Sequence, residues 1–198
     1  MNFERENSLK SEYSRICGVD EAGRGPLAGP VVAAGVILPT DFDLQQINDS
    51  KKLSPKKREI LFDRITANAI DYAIEFVDEK TIDEINILQA TLLAMKRVVL
   101  KLKADFVLID GNQKIDLNIV QETVIKGDSK VASIACASIL AKVARDRFMV
   151  EQSKLYPEYE FERHKGYPTK LHREKILEFG ACDIHRKSFL TKILKNGV

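Results

Sequence analysis

The stretch "GVDEAGRGPLAGPVV", Gly18 to Val32, places two acids, Asp20 and Glu21, side by side and follows them with three glycines, two prolines and one arginine. Upstream, "RICGVD" reads as a short strand ending at Asp20. Downstream, "VVAAGVIL" from Val31 to Leu38 reads as a second strand. Glycine and proline between two apolar runs suit a reversal of the chain, so the two strands form a hairpin-like pair. A neutral turn has no need of adjacent like charges. Two readings are open for this loop: a surface turn of no consequence, or a cation site with a phosphate chain lying across it.

The alternation of strand and helix continues outward from this pair. "PTDFDLQQINDSKKLS" is irregular, and Ser54 followed by Pro55 is an N-cap with proline at the first helical position. The helix runs through "KKREILFDRITAN", and "DYAIEFVD" follows as a half-alternating strand. Thr81 and Glu84 have capping-box spacing. Ile85, Leu88, Leu92, Met95, Val99 and Leu102 then recur at helical intervals, which is core packing. "ADFVLIDG" is apolar on both sides, as a buried strand requires, and ends in the turn signal Asp110-Gly111. "ETVIKGD" is a further short strand delivering Asp128 at its end. A long helix from about Ser129 carries the small face of Ala132, Ala135 and Cys136. From Tyr156 the texture turns aromatic and basic, predicting one or two helices. Strands with interspersed helices around one sheet give an α/β, mixed α+β class.

The bulk numbers narrow the function. A chain of 198 residues that is 44% hydrophobic buries a real core, and a net charge of +2 rules out a histone-like positive blanket. Local basic clusters remain, at Lys51, Lys52, Lys56, Lys57 and Arg58 and again at His185, Arg186 and Lys187. Cys17, Cys136 and Cys182 are scattered and form no CxxC pair, which suits buried thiols in a reducing compartment. The polar opening "MNFERENSLKSEYS" has no signal-peptide core, and no apolar run is long enough for a membrane span. The expected location is the cytoplasm. His164, His172 and His185 fit none of the usual zinc spacings.

Acids at strand ends are common. Asp128 before a helix has a simple reading as an N-cap, and Asp110-Gly111 as a turn. Asp20, Glu21, Asp110 and Asp128 together are harder to explain so. Drawn into one place, they would raise one another's pKa unless a cation compensated them. An oxygen-only set suits Mg²⁺ or Mn²⁺. The glycines run G-x-G-x-x-x-G, one residue too long for the dinucleotide fingerprint, and no GK[ST] follows to make a Walker loop. What the loop does allow is close approach of backbone amides to a sugar–phosphate chain.

The whole set resembles the type 2 ribonuclease H family, in its bacterial ribonuclease HII branch. The resemblance is carried in order by "GVDEAGRGPLAGPVVAAGVIL", "DSKKLS", "LIDGN", "KGDSKVASIACASILAKVARDR" and "HKGYPTKLH", from Ile16 to about Phe189. It implies a ribonuclease H-like fold, with a mixed five-stranded sheet flanked by helices. A catalytic core over 15–156 would follow a polar lead-in over 1–14, and a C-terminal helical lobe would occupy 157–198. Asp20, Glu21, Asp110 and Asp128 match the four family acids and would hold two divalent ions, Mn²⁺ or Mg²⁺. One ion would activate a water and the other would stabilise the departing 3′-oxygen, leaving 3′-hydroxyl and 5′-phosphate ends. The implied substrates are RNA–DNA hybrids and duplex DNA nicked 5′ of an embedded ribonucleotide.

By the same resemblance, Gly23, Arg24 and Gly25 match the loop that reads the ribose 2′-hydroxyl, and Tyr167 the tyrosine that packs on the following sugar. Asp49, Ser50 and Lys51 match phosphate contacts, with His164 and Lys165 as further backbone contacts. Lys142, Arg145 and Asp146 are expected to support the site through ion pairs. The C-terminal "SFLTKILKNGV" shows no sliding-clamp docking pattern, and a monomer is expected. Two alternatives stay open: a hybrid-binding protein that does not cut, which would be expected to lack an acid of the set, and another two-metal phosphoryl transferase such as a junction resolvase.

Overall fold

A computed structural model describes residues 2–47 and 53–195, the last four of them as backbone only. The described residues form a sheet of β1 (Ile16–Ala22), β2 (Val31–Ile37), β3 (Asp71–Val77), β4 (Phe106–Asp110) and β5 (Val120–Val124). The order across the sheet is β3-β2-β1-β4-β5. β1 and β2 are antiparallel, with Gly18 opposite Val36 and Asp20 opposite Ala34, so the Gly/Pro segment does close a hairpin. β3 adds antiparallel to β2, while β4 and β5 run parallel to β1. All seven residues of β2 are buried, which is why it reads as an unbroken apolar run.

The helices are α1 (Glu4–Leu9), α2 (Pro55–Asn68), α3 (Glu79–Leu102), α4 (Ala132–Leu155), α5 (Phe161–His164), α6 (Lys170–Phe179) and α7 (Lys187–Lys195). α3 covers one face, where Ala90, Ala94, Val98 and Leu102 meet Cys17, Val19, Val31 and Ala33. α4 covers the other, where Ala132, Ala135, Cys136 and Ile139 meet Ala34 and Val36, with Leu61 and Ile65 of α2 behind. The small-residue face lets α4 sit almost on the strand. A Cβ added to Gly18 would stand 2.4 Å from the backbone of Ser133 and Ile134. Ser54 caps α2 as its sequence predicts, its hydroxyl accepting from the Lys57 amide at 3.3 Å.

Several local expectations are corrected. β1 continues through Asp20 and Glu21 to Ala22, because pairing with β2 extends to Val32. α3 is capped by Asp78, which accepts from the Thr81 amide at 2.8 Å, and not by Thr81 itself. It is interrupted at Asn86 (φ 66), whose Oδ1 caps a second start by accepting from Leu88 and Gln89. Ile85, before that break, is consequently exposed. β5 ends at Val124, and Asp128 sits beyond it in a 3-10 turn over Gly127–Ser129.

α4 then starts at Ala132, and its cap position is Val131, which has no side-chain acceptor. The acceptor comes instead from the N-terminal lead-in. Buried Glu6 takes hydrogen bonds from the Ser133 amide and hydroxyl, each at 2.9 Å. After α4 a third apolar cluster joins Leu27 and Ala28 of the hairpin loop to Met149, Tyr159, Phe161 and Ile176.

Candidate active site

Side chains alternate along β1. Cys17 and Val19 face α3, so Gly18 and Asp20 face α4. On β4, Val107 and Ile109 face α3 and leave Leu108 and Asp110 toward α4. Val19 pairs with Ile109 in parallel register, so Asp20 and Asp110 are the next pair along adjacent strands, on the same face. Two acidic side chains are thereby set together where the β1–β4 pairing ends under α4. Glu21, one residue on, turns to the opposite side. There it shares a small cavity of about 90 Å³ with Asp110, Thr91 and Met95. Asp110 and Glu21 also join Asp20 around a larger cleft of about 270 Å³, lined in addition by Gly23, Gly25, Ser138 and Tyr167.

The electrostatics follow from this crowding. Asp20 is only 5% exposed. Burial, with the neighbouring Glu21 and Asp110 carboxylates adding like charge, holds its carboxyl well above the usual range. The Ser138 hydroxyl and the Glu21 amide, at 2.7 Å from Oδ1, offset part of this. Asp110 accepts from the Gly127 amide at 2.6 Å, which ties the strand end to the turn that carries buried Asp128. Asp128 itself is not among the residues lining the cleft.

Among the described residues, no three His, Cys, Asp or Glu side chains converge closely enough to cage an ion unaided. The donor set still fits a hard divalent cation. Mg²⁺-type ions are commonly held by one or two carboxylates completed by water and substrate phosphate, with no all-protein cage. The strained charge on Asp20 is what such a cation relieves.

The hairpin loop is held by two arginines that are 0% exposed. Arg186 donates to the carbonyls of Gly29 at 2.9 Å, Arg24 at 3.1 Å and Gly23 at 2.6 Å. Arg145 donates to those of Pro30, Lys165 and Ala28, each at 3.0 Å. Burial lowers Arg145 to about 10 and Arg186 to about 9. Arg145 was expected to form an ion pair; its partners are instead carbonyls, because it is sealed beneath the loop. Lys142 and Asp146 do pair, at 2.7 Å. A Cβ on Gly25 would meet nothing within 4 Å, so no packing within the protein requires glycine there. Open backbone at that point is what close approach of a ligand needs.

Of the remaining expected residues, Arg24 is half exposed at the cleft, 3.5 Å from Glu21. Tyr167 lines the cleft, its ring 5.3 Å from the Lys142 ammonium. Lys165 lies apart, in a groove with Arg58, Lys142 and Arg163. His164 is corrected. It is buried, and its ring nitrogens are engaged by the Tyr159 carbonyl and the Gly166 amide, leaving neither to offer a phosphate. Asp49, Ser50 and Lys51 lie outside the described residues. Ser138 and Arg186 were assigned no role from sequence. A hydroxyl on the apolar face of α4 is the available signal for Ser138, shared with Ser133, while Arg186 is hidden in a run that reads as a basic patch.

A family model described as ribonuclease HII matches residues 17–192. The chain belongs to the ribonuclease HII family. It is 60% identical over 192 residues to a ribonuclease HII of Caldicellulosiruptor saccharolyticus, covering 96% of this chain and 94% of that one. It is 59% identical over 191 residues to one of Endomicrobium trichonymphae, covering 95% and 90%. The crystal structure of ribonuclease H2 from Pyrococcus horikoshii OT3 superposes with a TM-score of 0.73 at 26% identity, over 93% of this chain and 99% of that one. As a ribonuclease HII family member the chain is a type 2 ribonuclease H, a hydrolase with the ribonuclease H-like fold. Among the described residues no helix is long and apolar enough to cross a membrane.

Proposed function

We propose that this ribonuclease HII cuts the RNA strand of RNA–DNA hybrids and nicks duplex DNA on the 5′ side of an embedded ribonucleotide, leaving 3′-hydroxyl and 5′-phosphate ends. The observation that carries this reading is the pairing of Asp20 with Asp110 under Ser138, in a cleft whose other wall is the Gly23–Gly25 backbone and Tyr167. Two Mn²⁺ or Mg²⁺ ions, when bound, supply Lewis-acid polarisation of the phosphate and stabilise charge on the entering and departing oxygens.

Asp20, Glu21 and Asp110 hold the ions, with Asp128 approaching from the turn beside Asp110. Ser138 donates to Asp20 and fixes its orientation. With their carbonyls turned inward to Arg186, Gly23 and Arg24 leave the loop's outer side to the ribose 2′-hydroxyl. Gly25 admits the sugar closely, and Arg24 approaches a phosphate or a sugar hydroxyl. Tyr167 packs on the sugar that follows, and Lys142, Lys165 and the Asp49–Lys51 segment meet backbone phosphates. The enzyme works as a monomer in the cytoplasm, with 15–156 as catalytic core and 157–198 as the helical lobe that grips substrate.

The test compares three 5′-labelled duplexes in Mn²⁺ or Mg²⁺: all-DNA, DNA with one ribonucleotide, and a continuous hybrid. The second and third are expected to be cut and the first left intact. Cutting of all-DNA would remove the 2′-hydroxyl role of the loop. Tight binding without cutting would mean a binder on this scaffold.

A further inference from the structure

His164, His172 and His185, carried by α5, α6 and the turn before α7, form one buried chain. The His164 and His172 rings stack at 4.3 Å, and His172 Nε2 lies 3.0 Å from His185 Nε2. Phe161 covers all three rings. The partners fix every proton. His185 Nδ1 accepts from the Cys182 amide at 3.0 Å, so its proton is on Nε2 and is donated to His172. His172 therefore accepts at Nε2 and must carry its proton on Nδ1. It donates that proton to the Tyr167 carbonyl at 3.0 Å. His164 accepts from the Gly166 amide at 3.2 Å and donates to Tyr159 at 2.9 Å. All three rings are neutral and no ring nitrogen is spare, which argues against a metal between them.

The chain joins the two loops of the cleft. At one end, His172 holds the backbone of Tyr167, two residues after the left-handed Lys165 (φ 53). At the other, His185 sits next to Arg186, whose guanidinium clamps the Gly23–Gly29 carbonyls and whose amide donates to Leu27 at 2.8 Å. The Leu27 amide in turn donates to Gly166, also at 2.8 Å. We propose that His172 is a positioning residue for substrate selection: its bond to the Tyr167 carbonyl sets that ring relative to the Gly23–Gly25 loop, and thereby the preference for a ribonucleotide flanked by DNA. The proposal rests on the Tyr167 role given above. His172 is fully buried and touches no substrate, so it acts through Tyr167 alone.

Two variants separate its bonds. An asparagine amide lies near the Nδ1 position and retains donation to Tyr167. A glutamine amide extends to the Nε2 position and retains only acceptance from His185. The readout is the ratio of kcat/KM on a DNA duplex with one ribonucleotide to kcat/KM on a continuous hybrid, which a loss of folded fraction leaves unmoved. His172→Asn is expected to keep the ratio within about 3-fold of the original, and His172→Gln to lower it by roughly 10-fold or more. Equal ratios for both variants would overturn the proposal. A wild-type measurement tests the hydrogen-bond premise whatever the variants' stability: imidazole ¹⁵N spectra at neutral pH are expected to show His172 protonated on Nδ1 and His185 on Nε2. The opposite tautomer at His172 overturns the proposal. A wild type that cuts both substrates equally would defeat the Tyr167 reading itself, whereas a discriminating wild type with an unchanged His172→Gln defeats only this inference.

Discussion

At Asp20 and Gly25 the proposed function and the stability of the fold make opposite demands on a single side chain. Asp20 has a carboxyl held above its unfolded value, so its contribution to stability is present at low pH and lost as pH rises through the folded value. Asp20→Asn removes that charge. In EDTA at neutral pH it is expected to raise stability, read as a higher Tm, while abolishing cleavage. Calorimetric melting of the two metal-free proteins checks this, and a lower Tm for the variant would contradict it. Gly25 has no neighbour that a Cβ would strike. Gly25→Ala is expected to leave Tm unchanged or slightly raised, by at most about 1 kcal/mol. Cleavage at a ribonucleotide should nonetheless fall about 10-fold or more, measured by steady-state kinetics. A variant as active as the parent would mean that no sugar approaches Gly25.

At the scale of elements, the hairpin loop is irregular in sequence yet rigidly held, because Arg186 and Arg145 satisfy its inward carbonyls. Arg186→Lys keeps the charge but cannot fork to three acceptors. The expected cost is about 2–4 kcal/mol in denaturant unfolding, with a raised KM; an unchanged unfolding midpoint would contradict the clamp. The strands and the sheet-facing helices were legible because their apolar periodicity is set by burial, as in β2 and α4. The four acids stand out as a set only through the family motifs, since spacing alone leaves each with an ordinary loop reading; the fold brings Asp20, Glu21 and Asp110 to the cleft and leaves Asp128 in the neighbouring turn. Element starts were less legible. α4 takes its cap from Glu6, more than a hundred residues away, so no local signal marks its start, whereas the break in α3 carries one in Asn86 with Gln89 three residues on, obscured by the unbroken apolar periodicity around it. Arg186 and the histidine chain were illegible for the same reason as the α4 cap: their meaning lies in partners brought near only by the fold.

Across the whole molecule, the buried histidines make the fold sensitive to acid. Burial, with neighbouring histidines adding to it, pushes His172 down to about 3 and His185 down to about 4, against an ordinary 6.5. Between those values the unfolded chain binds protons that the folded one refuses, so stability is full above pH 6.5 and falls as pH drops toward 4. The loss is expected to be on the order of 5 kcal/mol at pH 4, read from urea unfolding across the range. A flat profile would mean that the rings take up protons in place. The sheet, both helical layers and the clamped loop converge on one consequence, the adjacency of Asp20 and Asp110 in one cleft with the Gly23–Gly25 backbone and Tyr167. The most direct measurement is single-turnover cleavage of a one-ribonucleotide duplex by wild type and Asp110→Asn in Mn²⁺, with duplex binding measured in parallel. A rate loss of roughly 1,000-fold, about 4 kcal/mol of barrier, with binding retained is the expected result. Cleavage within 10-fold of wild type would contradict the carboxylate pair as the catalytic centre.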